Sequence, residues 1–355
     1  MAPETFQRML QMLQIPAPSG REERMAAYVA EQIRAADAEP RIDEQGNVWT
    51  TLVGCDSGAG PLALASHTDE IAVVISAIEA DGTMRVQRSG GLHPWKLGEG
   101  PMQIIGEGDG LVAAHLSFGS GHTTDPKDPI TQFASGARGI TWADVRLYAG
   151  LSAQELAARG VRVGSCAVPA ASVRGPNVLG PAEDPLWSAW IFDNRGGSMV
   201  LLQLLERLRA EGARPQRNLN LCFMVQEETG LLGAVGWARR NPIETFIAVD
   251  SSPVPRGTAL ALDGSPATWS KDRSGHFHHG VMADLDAAAS RAGTRLQYAV
   301  YAAAASDATG VLCAGLAPRC ATIGYPRENS HGYEVVRASV FDHLTAVLFE
   351  YVTRH

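Results

Sequence analysis

Four short apolar runs, Leu62–Ser66, Leu219–Val225, Phe246–Val249 and Cys320–Gly324, show little of the polar alternation of a strand with one wet face. Runs of this kind are buried on both faces, as inside a sheet covered by helices. A further strand is predicted at Asn47–Leu52. Between the runs lie helical patterns. Gly196–Ala210 places Met199, Leu202, Leu205 and Leu208 at three-residue spacing, and Gly332–Tyr351 reads as a closing helix. Strands alternating with helices of this length predict an α/β fold, a mixed sheet with helices on both faces. Near the start, Gln14–Gly20 is a proline-rich loop. Ser19 stands three residues before Glu22, a capping-box spacing that predicts a helix reaching about Ala35, with Met25, Val29 and Ile33 on one face.

The stretch from Val73 to Ala182 has a different texture. It holds 17 of the 37 glycines in under a third of the chain, and its short apolar segments are broken by Asp81-Gly82, Glu107-Gly108 and Asp109-Gly110. Only Leu151–Arg159 reads as helical there. The expectation is a small β-rich domain, residues 73–182, inserted into a discontinuous α/β domain made of residues 1–72 and 183–355.

Composition removes several function classes. A net charge of −8 lacks the clustered Lys and Arg of a duplex nucleic-acid binder. The three lysines, Lys96, Lys127 and Lys271, never follow a glycine, which excludes a Gly-Lys P-loop. No apolar run approaches the roughly 18 residues of a membrane span. Met1–Glu4 has neither a basic stretch nor an apolar core, so no signal peptide is expected. Cys55, Cys166, Cys222, Cys313 and Cys320 form no C-x-x-C pair and read as reduced thiols of a cytoplasmic protein. G-x-G-x-x-G, G-x-S-x-G and H-E-x-x-H are all absent.

Chemistry-bearing residues gather in five segments: Ser66-His67-Thr68-Asp69-Glu70, Phe192-Asp193-Asn194-Arg195-Gly196-Gly197, Gln226-Glu227-Glu228-Thr229-Gly230, Val249-Asp250-Ser251 and Asn329-Ser330-His331-Gly332-Tyr333-Glu334. Four lie at or just past a predicted strand end, where ligands bind in open α/β sheets. One such segment is ordinary turn material; five supplying two histidines and several carboxylates, without a thiolate, are not. Imidazole nitrogen with carboxylate oxygen suits zinc, manganese or cobalt. A pair of metals needs about five protein ligands, one of them a shared carboxylate.

In this order the segments resemble the M42 family of metallo-aminopeptidases, of the co-catalytic zinc exopeptidase group. Ile15-Pro16-Ala17-Pro18-Ser19-Gly20 is similar to the family's opening, and Asp43-Glu44-Gln45-Gly46-Asn47 to its D-x-x-G-N. His67-Thr68-Asp69-Glu70-Ile71 matches H-x-D-E-I, Glu227–Ala234 matches E-E-x-G-x-x-G-A, and Ser306-Asp307-Ala308 resembles a later T-D-A. The resemblance implies a cytoplasmic homo-oligomer, commonly a dodecamer, that hydrolyses the first peptide bond of peptides. It implies two divalent metals per subunit, zinc first, with cobalt or manganese as alternatives. Asp193 would bridge them, His67 and Asp250 completing one site and Glu228 and His331 the other. Asp69 would orient the His67 imidazole, and Glu227 would be the general base, taking a proton from the attacking water and passing it to the leaving amine.

Two departures stand out. The family's Asp-Asp-Arg is Asp193-Asn194-Arg195 here, and its R-Y-I-H-S-P is Glu328-Asn329-Ser330-His331-Gly332-Tyr333. His331 keeps its distance from Pro326 and stays in the ligand set. The alternatives are a metal-dependent deacylase or carboxypeptidase of the related group, or a non-catalytic peptide-binding scaffold that would have no use for Glu227. No nucleic-acid or membrane partner is expected. Outside the five segments, His276-Phe277-His278-His279 reads as a solvated loop before the helical pattern Val281–Ala292. His93 and His122 read as surface groups, Trp187 and Trp190 as core, and Asp307 as either a turn residue or a neighbour of the site.

Overall fold

The structure, a computed structural model, describes residues 3–56 and 58–355. Met1 and Ala2, on which part of the signal-peptide expectation rests, lie outside the described residues. The chain divides into two compact units. One comprises the residues up to Glu70 with Pro176–Ser330 and Glu334–His355; the other comprises Ile71–Gly175 with His331–Tyr333.

The larger unit is built on an 11-stranded mixed sheet. Its centre is four parallel strands in the order Leu219–Met224, Leu62–His67, Thr245–Pro253 and Arg319–Glu328. Val48–Leu52 flanks them antiparallel to Leu219–Met224. Alternate residues of the central strands enter different cores. Leu62, Leu64, Leu221, Phe223, Ile247 and Val249 pack with residues of helices Pro3–Gln14, Glu23–Ala35, Arg195–Ala210, His279–Arg291 and Ser339–Val352. Ala63, Ala65, Cys222, Met224 and Ala248 face the other way, toward helices Leu232–Arg240 and Asp307–Cys313. Both faces are therefore dry, which is why these strands lack polar alternation. Burying a leucine such as Leu64, 0% exposed, stabilises by about 1.5–3 kcal/mol.

Two predictions from local pattern fail. The helix Glu23–Ala35 forms, with Glu22 at its N-cap, but no side chain caps it. Ser19 instead donates to the Asp69 carboxylate at 2.6 Å, and Glu22 accepts the backbone N–H groups of Gly20 at 2.9 Å and Gln226 at 3.1 Å. A partner distant in sequence has taken the Ser19 hydroxyl from the local capping box, and Glu22 is shared between a near and a distant N–H. The closing helix begins only at Ser339, because Tyr333–Arg337 is a strand whose Val335 and Val336 pair with Glu328 and Arg327. Two adjacent β-branched residues favour that extended state.

The smaller unit is a closed six-stranded barrel, in the order Ala72–Ile78, Met84–Ser89, Arg146–Tyr148, Leu111–Ser117, Gly100–Ile105 and Cys166–Pro169, the last pairing back to the first. Closure leaves no free edge. Val73, Ile75, Val86, Ile104, Leu116 and Leu147 are buried in it. Ala153–Ala158 is helical with a Ser152–Glu155 capping box. Two further short helices, Pro94–Leu97 and Pro129–Ala134, start on prolines and were not evident from periodicity. Among the described residues, no helix is long and apolar enough to cross a membrane.

Candidate metal centre

His67 ends the strand Leu62–His67, and its Nε2 is the point on which the site converges. Asp193 Oδ1 lies 3.1 Å from it, Asp250 Oδ1 3.9 Å and Glu227 Oε2 3.9 Å. Candidate ligand atoms of His67, Asp193 and Asp250 all fall within 4.8 Å of one another, as do those of His67, Glu227 and Glu228. The opposite nitrogen, Nδ1, faces Asp69, 3.2 Å from its carbonyl oxygen and 3.4 Å from its carboxylate. Asp69 is 0% exposed, and its two oxygens also accept the backbone N–H groups of Glu227 at 3.0 Å and Glu228 at 3.2 Å. One carboxylate thus holds the imidazole and the turn carrying both glutamates.

Asp193 is placed by the turn between the strand Leu186–Trp190 and the helix Arg195–Ala210. Glu334 Oε2 accepts the N–H groups of Phe192 at 2.7 Å and Asp193 at 3.1 Å. The buried Arg327 guanidinium bridges Glu334 and Asp193 Oδ2. Asn194 caps the helix through Gly197 N–H at 3.0 Å and donates its amide to Val249 O at 2.8 Å, one residue before Asp250. Arg195 donates to the Thr68 carbonyl, to Ile15 O at 3.1 Å and to Glu70 at 3.3 Å, tying the opening loop to the end of the His67 strand. Gly197 allows this approach: a Cβ there would stand 2.3 Å from Val249 O. Asp250 lies inside the strand Thr245–Pro253, which runs longer than its apolar core suggested.

So many buried carboxylates carry an electrostatic cost. Burial first, and then the Asp193 charge, push Glu228 up to about 8 and Asp250 up to about 7. Burial likewise raises Glu227 well above the usual carboxylate range. Burial pulls His67 down, but Glu227, Asp193 and Asp69 more than reverse this and raise it well above its ordinary value. A divalent cation would relieve the repulsion, and one imidazole with carboxylates and no thiolate is a fitting donor set for zinc, manganese or cobalt.

His331 follows the strand Arg319–Glu328 in a left-handed conformation, φ 58°, and belongs to the barrel unit, where its Nδ1 lies 3.0 Å from Gly91 O. Asp307 is no exposed turn residue. It opens the helix Asp307–Cys313 at 1% exposure, and burial pushes it up to about 8. His278 caps the helix His279–Arg291, Phe277 joins the core, and Trp187 and Trp190 are fully buried. Sequence reasoning missed Arg327 and the work of Glu334; a charged pair seven residues apart across a strand reversal carries no local signature.

The family model described as M42 glutamyl aminopeptidase matches residues 46–346. The glutamyl aminopeptidase of Lactococcus lactis subsp. cremoris (strain MG1363) is 30% identical over 264 residues, covering 70% of this chain and 67% of that protein. Aminopeptidase APDkam598 of the archaeon Desulfurococcus kamchatkensis has a TM-score of 0.86 at 24% identity, over 99% of this chain and 95% of that one. The TET1 peptidase of Pyrococcus horikoshii, which can assemble into a tetrahedron or a large octahedral shell, has a TM-score of 0.85 at 20% identity, over 99% and 100%. The two structural likenesses show the fold. The match across most of the sequence shows the membership: the chain belongs to the M42 glutamyl aminopeptidase family of peptide-bond hydrolases.

Proposed function

We propose that the chain is a dinuclear metal-dependent aminopeptidase that removes the N-terminal residue of peptides. The observation that carries this reading is the His67 imidazole, with Nδ1 held by Asp69 and Nε2 turned toward Asp193, Asp250 and Glu227. That is the orientation a metal-ligating histidine takes from its carboxylate partner. His67 and Asp250 hold one metal, Glu228 and His331 the other, and Asp193 is shared; the part given to His331 rests on the family resemblance. Zinc is the first expectation, with cobalt or manganese able to replace it. Bound metals of this kind polarise the scissile carbonyl and lower the pKa of water.

The remaining chemistry belongs to side chains. Glu227, 9% exposed and on the same side of His67 as the ligands, takes the proton of the attacking water and delivers it to the leaving amine. Such assistance is worth about 10²–10⁴-fold. Asp69 keeps the imidazole and the Glu227–Glu228 turn in register. We further propose a homo-oligomer, by analogy with the assembling TET1 peptidase, and a cytoplasmic setting, in keeping with five cysteines that form no C-x-x-C pair.

The test is a panel of aminoacyl chromogenic substrates, free and N-acetylated, with zinc, cobalt and manganese. Metal-dependent cleavage confined to free amines is expected. Preference for the acetylated series would replace this reading with a deacylase, and inactivity toward both with every metal would overturn it. Light scattering tests assembly, a monomer counting against it.

A further inference from the structure

The dinuclear reading asks Asp193 to give one oxygen to each metal, but its two oxygens stand in different surroundings. Oδ1 faces His67 Nε2 at 3.1 Å. Oδ2 is paired with the guanidinium of Arg327. Arg327 is 2% exposed, and its other terminal nitrogen is held by Glu334, itself 0% exposed. Glu334 is fixed in turn by the N–H groups of Phe192 and Asp193. The cation is therefore anchored to the segment that carries the bridging carboxylate, and a guanidinium does not give up its charge in a protein.

We propose that Arg327 makes the two metal positions unequal. The position of His67, Asp193 Oδ1 and Asp250 fills first, and the position that shares Asp193 Oδ2 with Glu228 fills more weakly. Arg327 draws electron density from the shared oxygen and repels a second dication in a buried setting where charges are poorly screened. This inference rests on the dinuclear reading and deepens it. A purely structural Arg327, neutralising two buried carboxylates, would affect folding without separating the two affinities.

The test is metal titration of the stripped 355-residue chain against a competing chelator, with zinc and with cobalt(II), alongside elemental analysis. For the parent chain, two binding classes of one metal each should differ by at least about tenfold, and His67→Ala should abolish the tighter one. The double variant Arg327→Met/Glu334→Gln removes both charges, and its two classes should draw together. Glu334→Gln alone retains an oxygen for the Phe192 and Asp193 N–H groups but leaves Arg327 with Asp193 as its ion-pair partner among the described residues. Its second class should weaken further, so this arm decides the matter even if the double variant misfolds. Two equal classes in the parent chain, or a gap unmoved by either variant, would overturn the proposal and leave the dinuclear reading standing. A single metal in the parent chain and in every folded variant would overturn both, and the substrate panel would then show whether aminopeptidase activity survives on one metal.

Discussion

The Asp69 carboxylate lies 3.4 Å from the Nδ1 of His67 while accepting the backbone N–H groups of Glu227 and Glu228. One buried anion thereby couples the end of the strand Leu62–His67 to the turn after Leu219–Met224, so the orientation of the His67 ring and the position of the two glutamates depend on the same group.

Asp69→Asn should consequently impair two functions together. The amide cannot supply two anionic acceptors to the turn, and it weakens the hold on the imidazole. Metal affinity is expected to fall by about 10–100-fold, the usual effect of losing such a supporting partner. Chelator competition measures it, and unchanged affinity would show that the Asp69 carbonyl alone orients the ring.

Glu227→Gln preserves size and removes the proposed base. Turnover should drop by about 10²–10⁴-fold, with metal content retained. Glu228→Gln should instead release metal, since a neutral amide is a poor replacement for a ligating carboxylate. Elemental analysis beside steady-state kinetics separates the two outcomes; near-normal turnover in fully loaded Glu227→Gln would mean another group carries the proton.

Stability should depend on pH in a manner that metal suppresses. Glu228 at about 8 and Asp250 at about 7 stand above their unfolded values because burial and Asp193 disfavour their charge. The metal-free folded chain thus holds more protons than the unfolded chain between about pH 4 and 8, and stability falls as pH rises through that window. His67, also raised, acts in the same direction above its unfolded value. The melting temperature of the chelated protein should fall from pH 5.5 to 8, and metal should flatten the slope by displacing those protons. A melting temperature that rises with pH in chelator would contradict this.

Gly197→Ala should push the helix Arg195–Ala210 off the sheet, because the new Cβ would lie 2.3 Å from Val249 O and 2.8 Å from Ser66 Oγ. Overpacking of this kind costs about 1–3 kcal/mol, occasionally more. Urea unfolding would report it as a lower midpoint, and an unchanged midpoint would mean the helix can shift freely.

Arg327→Met alone should lower stability by about 3–5 kcal/mol, the usual result of stripping one partner from a buried ion pair. Glu334 would be left charged at 0% exposure. Adding Glu334→Gln should recover part of that loss, and denaturant titration of the three proteins measures the coupling.

By itself the sequence determined the two-sided sheet and the residues that gather at its strand ends. Runs such as Leu62–Ser66 leave no wet face, so helices must cover both, and the H-x-D and E-E patterns place polar groups where those strands stop. Periodicity reports which face of an element is buried; it does not report which partner a polar group will find. Ser19 and Glu22 have the spacing of a helix cap, yet Ser19 bonds to Asp69 and Glu22 is shared between Gly20 and Gln226. Val335 and Val336 fall in a stretch that reads as helix, yet they pair with the end of Arg319–Glu328. Arg327 looks like one arginine among many, until the chain reversal sets it between Asp193 and Glu334. Each outcome turns on hydrogen bonds and charge pairs closed by the fold, some over one strand reversal and some between distant elements, where buried polar groups must be satisfied by whatever tertiary packing brings near. Only the tertiary structure could decide them.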